Sequence, residues 1–200
     1  MKKVIPEDSV LVPDGADLAF RGMIFDTYQW QQKLFDGSEH RFEMLKRADT
    51  VSVICVVDDK LLVIEDEQPH LGKRQSFPGG RVDDTDDTAE TAAKREVREE
   101  TGYSFKNWRL IKVSQPYRKI EWFVYVFLAW DVDGQQEPVL DPGEKITVEH
   151  LGFEEVKDLV AGTGQTGRSY LGESSDIFEA AGNPDGLLKL PEFKGQEVDR

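Results

Sequence analysis

Three acidic residues crowd one short stretch of the chain, KREVREETGY, which begins at Lys94. Glu96, Glu99 and Glu100 lie close enough to repel one another and to weaken an isolated helix. Such a cluster is harmless when it projects into water. It is costly when it faces the interior, because an unpaired buried charge loses its hydration. The direction of these side chains therefore decides whether they form a solvated surface or a binding site.

The helical phase favours an inward-facing cluster. Glu96 and Glu100 project within about 20° of Ala89, and Glu99 about 80° from it, at about 100° per residue. Ala89 belongs to the apolar stripe that would face the core, while basic side chains occupy the opposite side. The other members of the stripe are Ala92, Ala93 and Val97. We therefore predict that these carboxylates are held against the body of the protein.

Carboxylates in that position need a counter-charge. Arg95 can pair with Glu99 four residues on, which leaves Glu96 and Glu100 to be neutralised. Mg²⁺ prefers oxygen ligands and commonly bridges carboxylates to substrate phosphates, and an internal network of salt bridges is the alternative. The preceding loop, FPGGRVDD, favours the metal, because its glycines let a main-chain carbonyl approach closely enough to join the ligands.

The loop and the helix together resemble the Nudix box, whose pattern is G-x5-E-x7-R-E-U-x-E-E-x-G-U, with U an apolar residue. The second half matches at every fixed position from Arg95 to Tyr103. The first half departs from the pattern, because Asp87 stands in place of Glu and six residues separate it from Gly80 instead of five. The box spans about a tenth of the chain. The resemblance implies a metal-dependent hydrolase with an α/β/α sandwich fold.

The same resemblance implies roles for the matching residues. Glu96, Glu99 and Glu100 would bind Mg²⁺ or Mn²⁺, with the carbonyl oxygen of Gly79 as a further ligand, and Arg95 would orient the acids. The implied reaction is hydrolysis of a nucleoside diphosphate linked to another moiety. In it, metal ions withdraw charge from the pyrophosphate and a base activates the attacking water. Glu96, Glu100 and Arg95 are accordingly the catalytic residues expected within the box.

Outside the box, the chain is similar to the branch that cleaves ADP-ribose and other nucleotide sugars. Pro116 lies fourteen residues beyond Gly102, near the position of a proline in that branch. The segment LDPGEKITVEHLGF resembles a loop that carries a functional glutamate there. Glu144 is therefore the candidate base or additional metal ligand, with a surface turn acid as the alternative. His70 and Ser76 stand where that branch often has Arg and Glu, which leaves another sugar or another nucleotide open.

The base and phosphates of such a substrate need partners of their own. Phe25 and Trp30, in the aromatic N-terminal segment, are candidates for stacking on the base, with packing or a dimer interface as the alternative. Arg81, directly after the glycines, is assigned to the substrate as well. The N-terminal segment exchanges between subunits in the nucleotide-sugar branch, so the resemblance implies a homodimer. Two other functions stay open: a nucleoside triphosphate pyrophosphatase that removes damaged nucleotides, and a Nudix-like module that binds without hydrolysis.

The acidic helix has clear boundaries in the sequence. It is predicted from about Thr88 to Thr101, with Asp87 as N-cap and Glu90 completing a capping box. Gly102 follows the last turn, where a left-handed residue commonly ends a helix.

The remaining elements predict an α+β fold with a mixed sheet between helices. Asp36-Gly37 indicates an N-terminal hairpin, and a second hairpin joins Val51–Val57 to Leu61–Glu65. Further strands are predicted at Trp108–Val113, Ile120–Asp131 and 146–153, and helices at 154–160 and Ser174–Ala181. We divide the chain into an N-terminal hairpin extension (1–48) that serves dimerisation, a catalytic domain (49–160), and a C-terminal tail with a short helix (161–200) that belongs to the same domain.

Composition excludes several classes of protein. The net charge of −14 argues against nucleic-acid or anionic-membrane surfaces, which are bound through clustered Lys and Arg. The longest apolar run, WFVYVFLAW, is about half the length of a membrane-spanning helix and indicates a buried strand. Cys55 is the single cysteine, so no disulfide forms within the chain, and we expect a cytoplasmic protein.

Overall fold

The structure is a computed structural model that describes residues 2–69, 72–162 and 171–199. Twelve strands and four α-helices fall within those ranges. The strands are β1 Lys2–Ile5, β2 Asp17–Arg21, β3 Asp26–Lys33, β4 Glu39–Lys46, β5 Thr50–Val57, β6 Lys60–Gln68, β7 Gly72–Ser76, β8 Tyr103–Ser114, β9 Ile120–Glu121, β10 Val124–Gln135, β11 Lys145–Leu151 and β12 Gln196–Asp199. The helices are α1 Ala89–Thr101, α2 Phe153–Gly162, α3 Ser175–Ala181 and α4 Pro184–Leu187, with a 3₁₀ helix at Leu171–Ser174. Among the described helices, none combines the length and the apolar character that crossing a bilayer requires.

A mixed sheet forms the centre of the molecule, in the order β11-β6-β5-β10-β8. β7 also pairs with β6, outside this order. β10 pairs parallel with β5 and antiparallel with β8. The first six residues of β10, Val124–Ala129, are all buried. A strand covered on both faces needs apolar residues at every position, which explains the uninterrupted apolar run of the sequence.

Helices cover both faces of this sheet. On one face, Ala93 and Val97 of α1 pack with Val53 and Phe127. On the other face, α2 and α3 pack on side chains of the opposite parity, such as Ile54. The α/β/α sandwich and the α+β class are therefore confirmed. Residues 171–187 of the segment predicted as a tail contribute to the second helical layer, with Leu171, Phe178 and Leu187 in its core.

The strands β5 and β6 diverge soon after their hairpin. They pair only at Val56↔Leu61 and Val57↔Lys60, across a tight turn with positive φ at Asp58 and Asp59. β7 pairs with the freed edge of β6 from Ile64 onward, while β11 pairs with the opposite edge of β6 from Leu61 to Glu67. The start of β5 and the end of β6 consequently enclose a wedge-shaped opening in the sheet.

The N-terminal strands form a separate sheet, in the order β2-β3-β4-β9, and the hairpin across Asp36-Gly37 is confirmed. The strand predicted over Ile120–Asp131 is wrong at its start, because β9 pairs with β4 while the central sheet begins only at Val124. At this change of sheet, buried Asp49 accepts a hydrogen bond from the amide of Phe123 at 2.9 Å. The pairing of β1 with β12 was not predicted.

The predicted N-cap of α1 is also wrong by one residue. Thr88, in an extended conformation, caps the helix, and its hydroxyl accepts a hydrogen bond from the amide of Thr91 at 3.1 Å. Glu90 therefore forms no capping box, and its carboxylate binds Lys94 at 2.6 Å. The predicted end is confirmed: Gly102 adopts φ 75° and donates its amide to a carbonyl of the last turn.

Candidate active site

α1 turns two of its three glutamates toward the body of the protein. The side chain of Glu96 is 15% exposed and Glu100 is 8% exposed. Glu99 lies at the edge of the cluster, with its side chain 45% exposed. Ala93 and Val97, which share the inward side, are fully buried. The orientation predicted from the helical phase is thus present for Glu96 and Glu100 and only half realised for Glu99.

The glycine loop lies directly against these carboxylates, and neither glycine leaves room for a side chain. A Cβ on Gly79 would lie 2.2 Å from the carbonyl oxygen of Val51, and one on Gly80 would lie 2.7 Å from the carboxylate of Glu96. The amide of Gly79 donates to Glu100 Oε2 at 2.7 Å. The amide of Val51 donates to the carbonyl of Gly80 at 2.8 Å, which anchors the loop to β5.

Arg95 links the acids of the helix to the loop. Its Nη1 donates to Glu96 Oε1 at 2.9 Å and to Glu99 Oε2 at 3.0 Å. Its Nη2 donates to the carbonyl of Arg81 and to Asp86 Oδ2, both at 2.9 Å. One guanidinium thus fixes two carboxylates and two points of the preceding loop, the orienting position that the sequence predicts.

Asp86, not Asp87, is the acid that meets this arginine. The side chain of Asp86 is 4% exposed, and the hydrogen bonds from Arg95 hold its pKa below the ordinary value for Asp. Asp87 belongs to the exposed approach to the helix. Counted from Gly80, Asp86 restores the five-residue spacing of the motif, so the additional residue lies between the acid and the helix. That spacing was the signal available in the sequence.

The acids of the site are held in an environment that disfavours their charge. Burial raises the pKa of Glu96 to about 7, against the opposing effect of Arg95. Burial also raises the pKa of Glu100, and Glu96, Glu144 and Asp66 add to the increase. The pKa of Glu144 is raised by its partial burial and by neighbouring acids. A local excess of negative charge therefore needs either protons or a cation.

A cavity of about 470 Å³ opens between the diverging strands, with Glu100 and Glu144 on its lining. A smaller hollow of about 250 Å³ adjoins it, and this hollow brings Glu96, Glu99, Glu100 and Glu144 together. Arg81 lines both spaces. The structure thus places every predicted member of the acidic cluster at one site, including Glu144 from the turn before β11.

The walls of the larger cavity differ in chemistry. The wall on the side of β5, β8 and β10 includes Arg47, Thr50, Lys112 and Trp122, and the wall on the side of β6 and β7 includes Asp66, Gln68, Arg74 and Ser76. The sequence did not single out any of these residues as part of the site, except Ser76 by its position. Their convergence depends on the divergence of the strands, which no local pattern signals.

The predicted aromatic residues occupy different places relative to this cavity. The guanidinium of Arg47 lies between the rings of Phe25 and Trp122, 5.5 Å and 4.8 Å from their centroids. Phe25 therefore supports a residue of the wall. Trp30 packs on Phe42 with the ring centroids 5.6 Å apart and is not part of the lining within this chain.

A larger, shallower groove of about 620 Å³ follows the outer face of α1. Its lining includes Lys94, Arg98 and Trp108, but not Glu96, Glu100 or Glu144. The chemistry of the acids therefore belongs to the wedge between the strands and not to this groove.

The oxygen atoms of the acidic cluster suit a hard divalent cation, although the side chains do not form a complete coordination site. Within the described ranges, no group of three or more His, Cys, Asp or Glu has the arrangement of a metal site. Glu96 and Glu99 are held by Arg95, and Glu100 by the amide of Gly79. Buried carboxylates with raised pKa values beside a close backbone loop are nevertheless the oxygen donors that Mg²⁺ and Mn²⁺ prefer. We conclude that the residues fit such an ion.

Comparisons with known proteins agree with this geometry. The family described as NUDIX domain matches residues 46–170. ADP-ribose pyrophosphatase of Bacillus subtilis (strain 168) is 29% identical over 167 residues, which cover 80% of this chain and 82% of that protein. A solved structure described as "Crystal structure of ADP compounds hydrolase" superposes with a TM-score of 0.65 at 18% identity, covering 88% of this chain and 94% of the other. At that identity, the structural match speaks for the fold alone.

Proposed function

Because the chain belongs to the Nudix family of hydrolases, we propose that it cleaves the pyrophosphate bond of ADP-ribose or another nucleotide sugar. The products would be a nucleoside monophosphate and a sugar phosphate. The relative named ADP-ribose pyrophosphatase supports this substrate class over most of the chain length. The observation that carries the proposal is the convergence of Glu96, Glu100 and Glu144 at the smaller hollow, which adjoins a cavity of about 470 Å³, within the usual size range of ligand sites.

The cofactor we propose is Mg²⁺ or Mn²⁺. Glu96, Glu99 and Glu100 would hold it together with the carbonyl oxygen of Gly79. That carbonyl accepts none of the hydrogen bonds found within the described part of the chain. When bound, such an ion neutralises the phosphate oxygens and lowers the pKa of a coordinated water.

The side chains of this protein would supply orientation and proton transfer. Arg95 keeps Glu96 and Glu99 in place through two short hydrogen bonds, so that little reorganisation accompanies the reaction. Glu144 is our candidate for the base that accepts a proton from the attacking water. Partial burial raises its pKa, which brings a carboxylate closer to the range useful for general base catalysis.

The cation and aromatic wall suits the nucleobase. Arg47 and Trp122 both line this wall, where the positive charge of the guanidinium and the apolar indole would favour a flat, electron-rich ligand. Trp122 is held by a hydrogen bond from its Nε1 to Thr50 Oγ1 at 2.9 Å. The ring of Phe25 packs against the guanidinium of Arg47, and Arg81, which lines both spaces, would bind the phosphates. Trp30 would contribute only across a subunit interface.

A homodimer is part of the proposal. The N-terminal sheet and its turns expose six large apolar side chains, which supports the proposal because exposed apolar patches are typical of protein interfaces. They are Leu18, Phe20, Met23, Ile24, Phe35 and Phe42. Light scattering should give twice the chain mass, and a Phe20→Asp, Met23→Asp double variant should give a monomer with reduced turnover. A wild-type chain that stays monomeric at micromolar concentration would remove this part of the proposal.

We also place the enzyme in the cytoplasm, without nucleic-acid or membrane partners. The free thiol of Cys55 is completely buried and is compatible with a reducing compartment. The net charge of −14 disfavours polyanionic surfaces.

The deciding experiment is an assay of product release from ADP-ribose, other nucleotide sugars and nucleoside triphosphates with Mg²⁺ or Mn²⁺. Glu100→Gln should reduce kcat/KM by at least about a hundredfold, the usual scale for loss of electrostatic stabilisation at a charged transition state. Glu90→Gln, on the exposed side of the same helix, is the matched control and should retain activity. If the protein released pyrophosphate from nucleoside triphosphates and did not cleave nucleotide sugars, this would favour the alternative of a pyrophosphatase that removes damaged nucleotides. Nucleotide binding with no turnover would favour a binding module.

A further inference from the structure

The polar wall of the cavity contains a buried acid that the box motif does not explain. Asp66, near the end of β6, is 6% exposed and lines the cavity. It lies close enough to Glu100 and Glu144 to raise the pKa of both. Its side chain therefore belongs to the same electrostatic environment as the acidic cluster, although it comes from a different strand.

The two oxygens of this carboxylate have very different surroundings. Oδ2 accepts hydrogen bonds from Arg74 Nε at 3.1 Å, from Arg74 Nη2 at 2.9 Å and from Gln68 Nε2 at 3.1 Å. Oδ1 is buried, and no group in the described residues donates a hydrogen bond to it. A buried acceptor without a donor loses its hydration with nothing in return, which is costly. Such an atom is retained when a ligand supplies the donor.

On the basis of the function proposed above, we propose that Asp66 Oδ1 accepts a hydrogen bond from a hydroxyl group of the sugar beyond the pyrophosphate. The wall opposite carries Arg47 and Trp122, which suit the flat nucleobase. The wall of Asp66, Gln68 and Arg74 is polar and lies on the other side of the wedge. A hydroxylated leaving moiety is the part of a nucleotide sugar that this wall complements.

A hydroxyl donor fits Asp66 better than a metal ion does. The guanidinium of Arg74 approaches Oδ2 with two hydrogen bonds and a closest distance of 2.9 Å, so this carboxylate already has a cationic partner. A carboxylate in an ion pair attracts a divalent cation less strongly, but its other oxygen still accepts a hydrogen bond from a neutral hydroxyl. Because of its ion pair with Arg74, Asp66 is suited to bind a sugar hydroxyl, although it lies beside the acidic cluster.

The test compares two ligands that differ only in the second sugar: ADP-ribose and the methyl ester of ADP. Analogues with a methylene group between the phosphorus atoms allow binding to be measured by calorimetry with Mg²⁺ present, whether or not hydrolysis occurs. Asp66→Asn keeps an acceptor for Arg74 and the shape of the side chain. It should weaken the ADP-ribose analogue at least about tenfold, since a hydrogen bond to a charged group contributes about 1.5 to 3 kcal/mol. The methyl ester analogue should change less than about twofold, because it makes no such hydrogen bond.

The control is Glu65→Gln on the same strand. Glu65 pairs with Lys73 at 2.6 Å on the outer side of the hairpin and does not line the cavity, so both ligands should bind the variant normally. Equal weakening of both ligands by Asp66→Asn would mean that Asp66 acts through the metal or the fold, and it would overturn the inference, as would no weakening of either. A wild-type protein that shows this binding difference but does not hydrolyse ADP-ribose would overturn the hydrolase proposal instead.

Analogues with single hydroxyls removed from the second ribose add a measurement that needs only the wild-type protein. One of them should bind about tenfold more weakly than its parent, the scale of one hydrogen bond to a carboxylate. If none does, Asp66 reads no hydroxyl of that sugar, even should the variant fail to fold.

Discussion

Without a divalent cation, the protein should lose stability as pH rises, because its inward-facing carboxylates must then ionise in a buried site. Burial raises the pKa of Glu96 to about 7 from its ordinary 4.5. A group whose pKa is higher in the folded state stabilises the fold while both states are protonated, below about pH 4.5. That contribution is lost progressively as pH rises through about 7.

The magnitude follows from the size of the shift. An increase from 4.5 to about 7 corresponds to roughly 3 kcal/mol, at 1.36 kcal/mol per pKa unit. Most of that loss, roughly 2 to 3 kcal/mol, falls between pH 5 and pH 8. Glu100 and Glu144 have pKa values raised in the same direction, so they add to the slope.

The assay is urea unfolding at pH 5, 6, 7 and 8 in the presence of a chelator. Glu96→Gln should unfold with a flatter pH dependence than the wild type, and the difference between the two curves should grow by about 2 to 3 kcal/mol across this range. Glu90→Gln serves as control, because its carboxylate is half exposed and paired with Lys94. Adding Mg²⁺ should restore the wild type more at pH 8 than at pH 5. Parallel curves for wild type and Glu96→Gln would refute the burial argument.

Three further predictions concern the loop and the start of the helix. Gly80→Ala should fold but lose at least about tenfold in kcat/KM, because its Cβ would meet the movable carboxylate of Glu96 at 2.7 Å, and displaced catalytic groups lose at least this much; wild-type kinetics would contradict the contact. Asp86→Asn should lower the free energy of unfolding by about 1 to 2 kcal/mol, because it breaks a largely buried ion pair with the partly exposed Arg95. Asp87→Asn should leave the free energy of unfolding unchanged. If thermal melts showed the larger loss for Asp87→Asn, Asp87 and not Asp86 would be the acid of the motif. Thr88→Ala should cost about 1 kcal/mol as a lost N-cap, measured by chemical unfolding, and no loss would mean that the helix begins elsewhere.

The sequence predicts those parts of the site that depend on local periodicity. The phase of α1 placed Glu96 and Glu100 on the buried side, and the box spacing brought the glycine loop against them. The same reasoning chose Asp87 as the cap and as the first acid of the box, whereas Thr88 caps the helix and Asp86 binds Arg95. Both errors arose within the run DDTDDT, where neighbouring acids have the same local propensity and only the conformation of the turn separates them.

The residues of the cavity walls could not be predicted from the sequence, for a different reason. Trp122 lines the cavity from the point where the chain passes from β9 to the central sheet, and Asp49, which is remote in sequence, binds the amide of the next residue. Asp66 reaches the cavity only because β6 stops pairing with β5 after two pairs of residues. Hydrophobic alternation predicts which face of a strand is buried, but it does not predict which neighbour the strand will keep.

The divergence of β5 and β6 is therefore the feature that joins fold to function. If the two strands stayed paired to their ends, the backbones would lie about 4.8 Å apart and leave no cavity between Thr50 and Asp66. The unpaired edges are instead taken by β7 on one side and by the glycine loop on the other, where the amides of Val51 and Val53 bind the carbonyls of Gly80 and Pro78 at 2.8 Å. The loop thus completes the ladder of β5 and in the same step carries its glycines to the carboxylates of α1. A substitution that closed the wedge would break both sets of hydrogen bonds and remove the site.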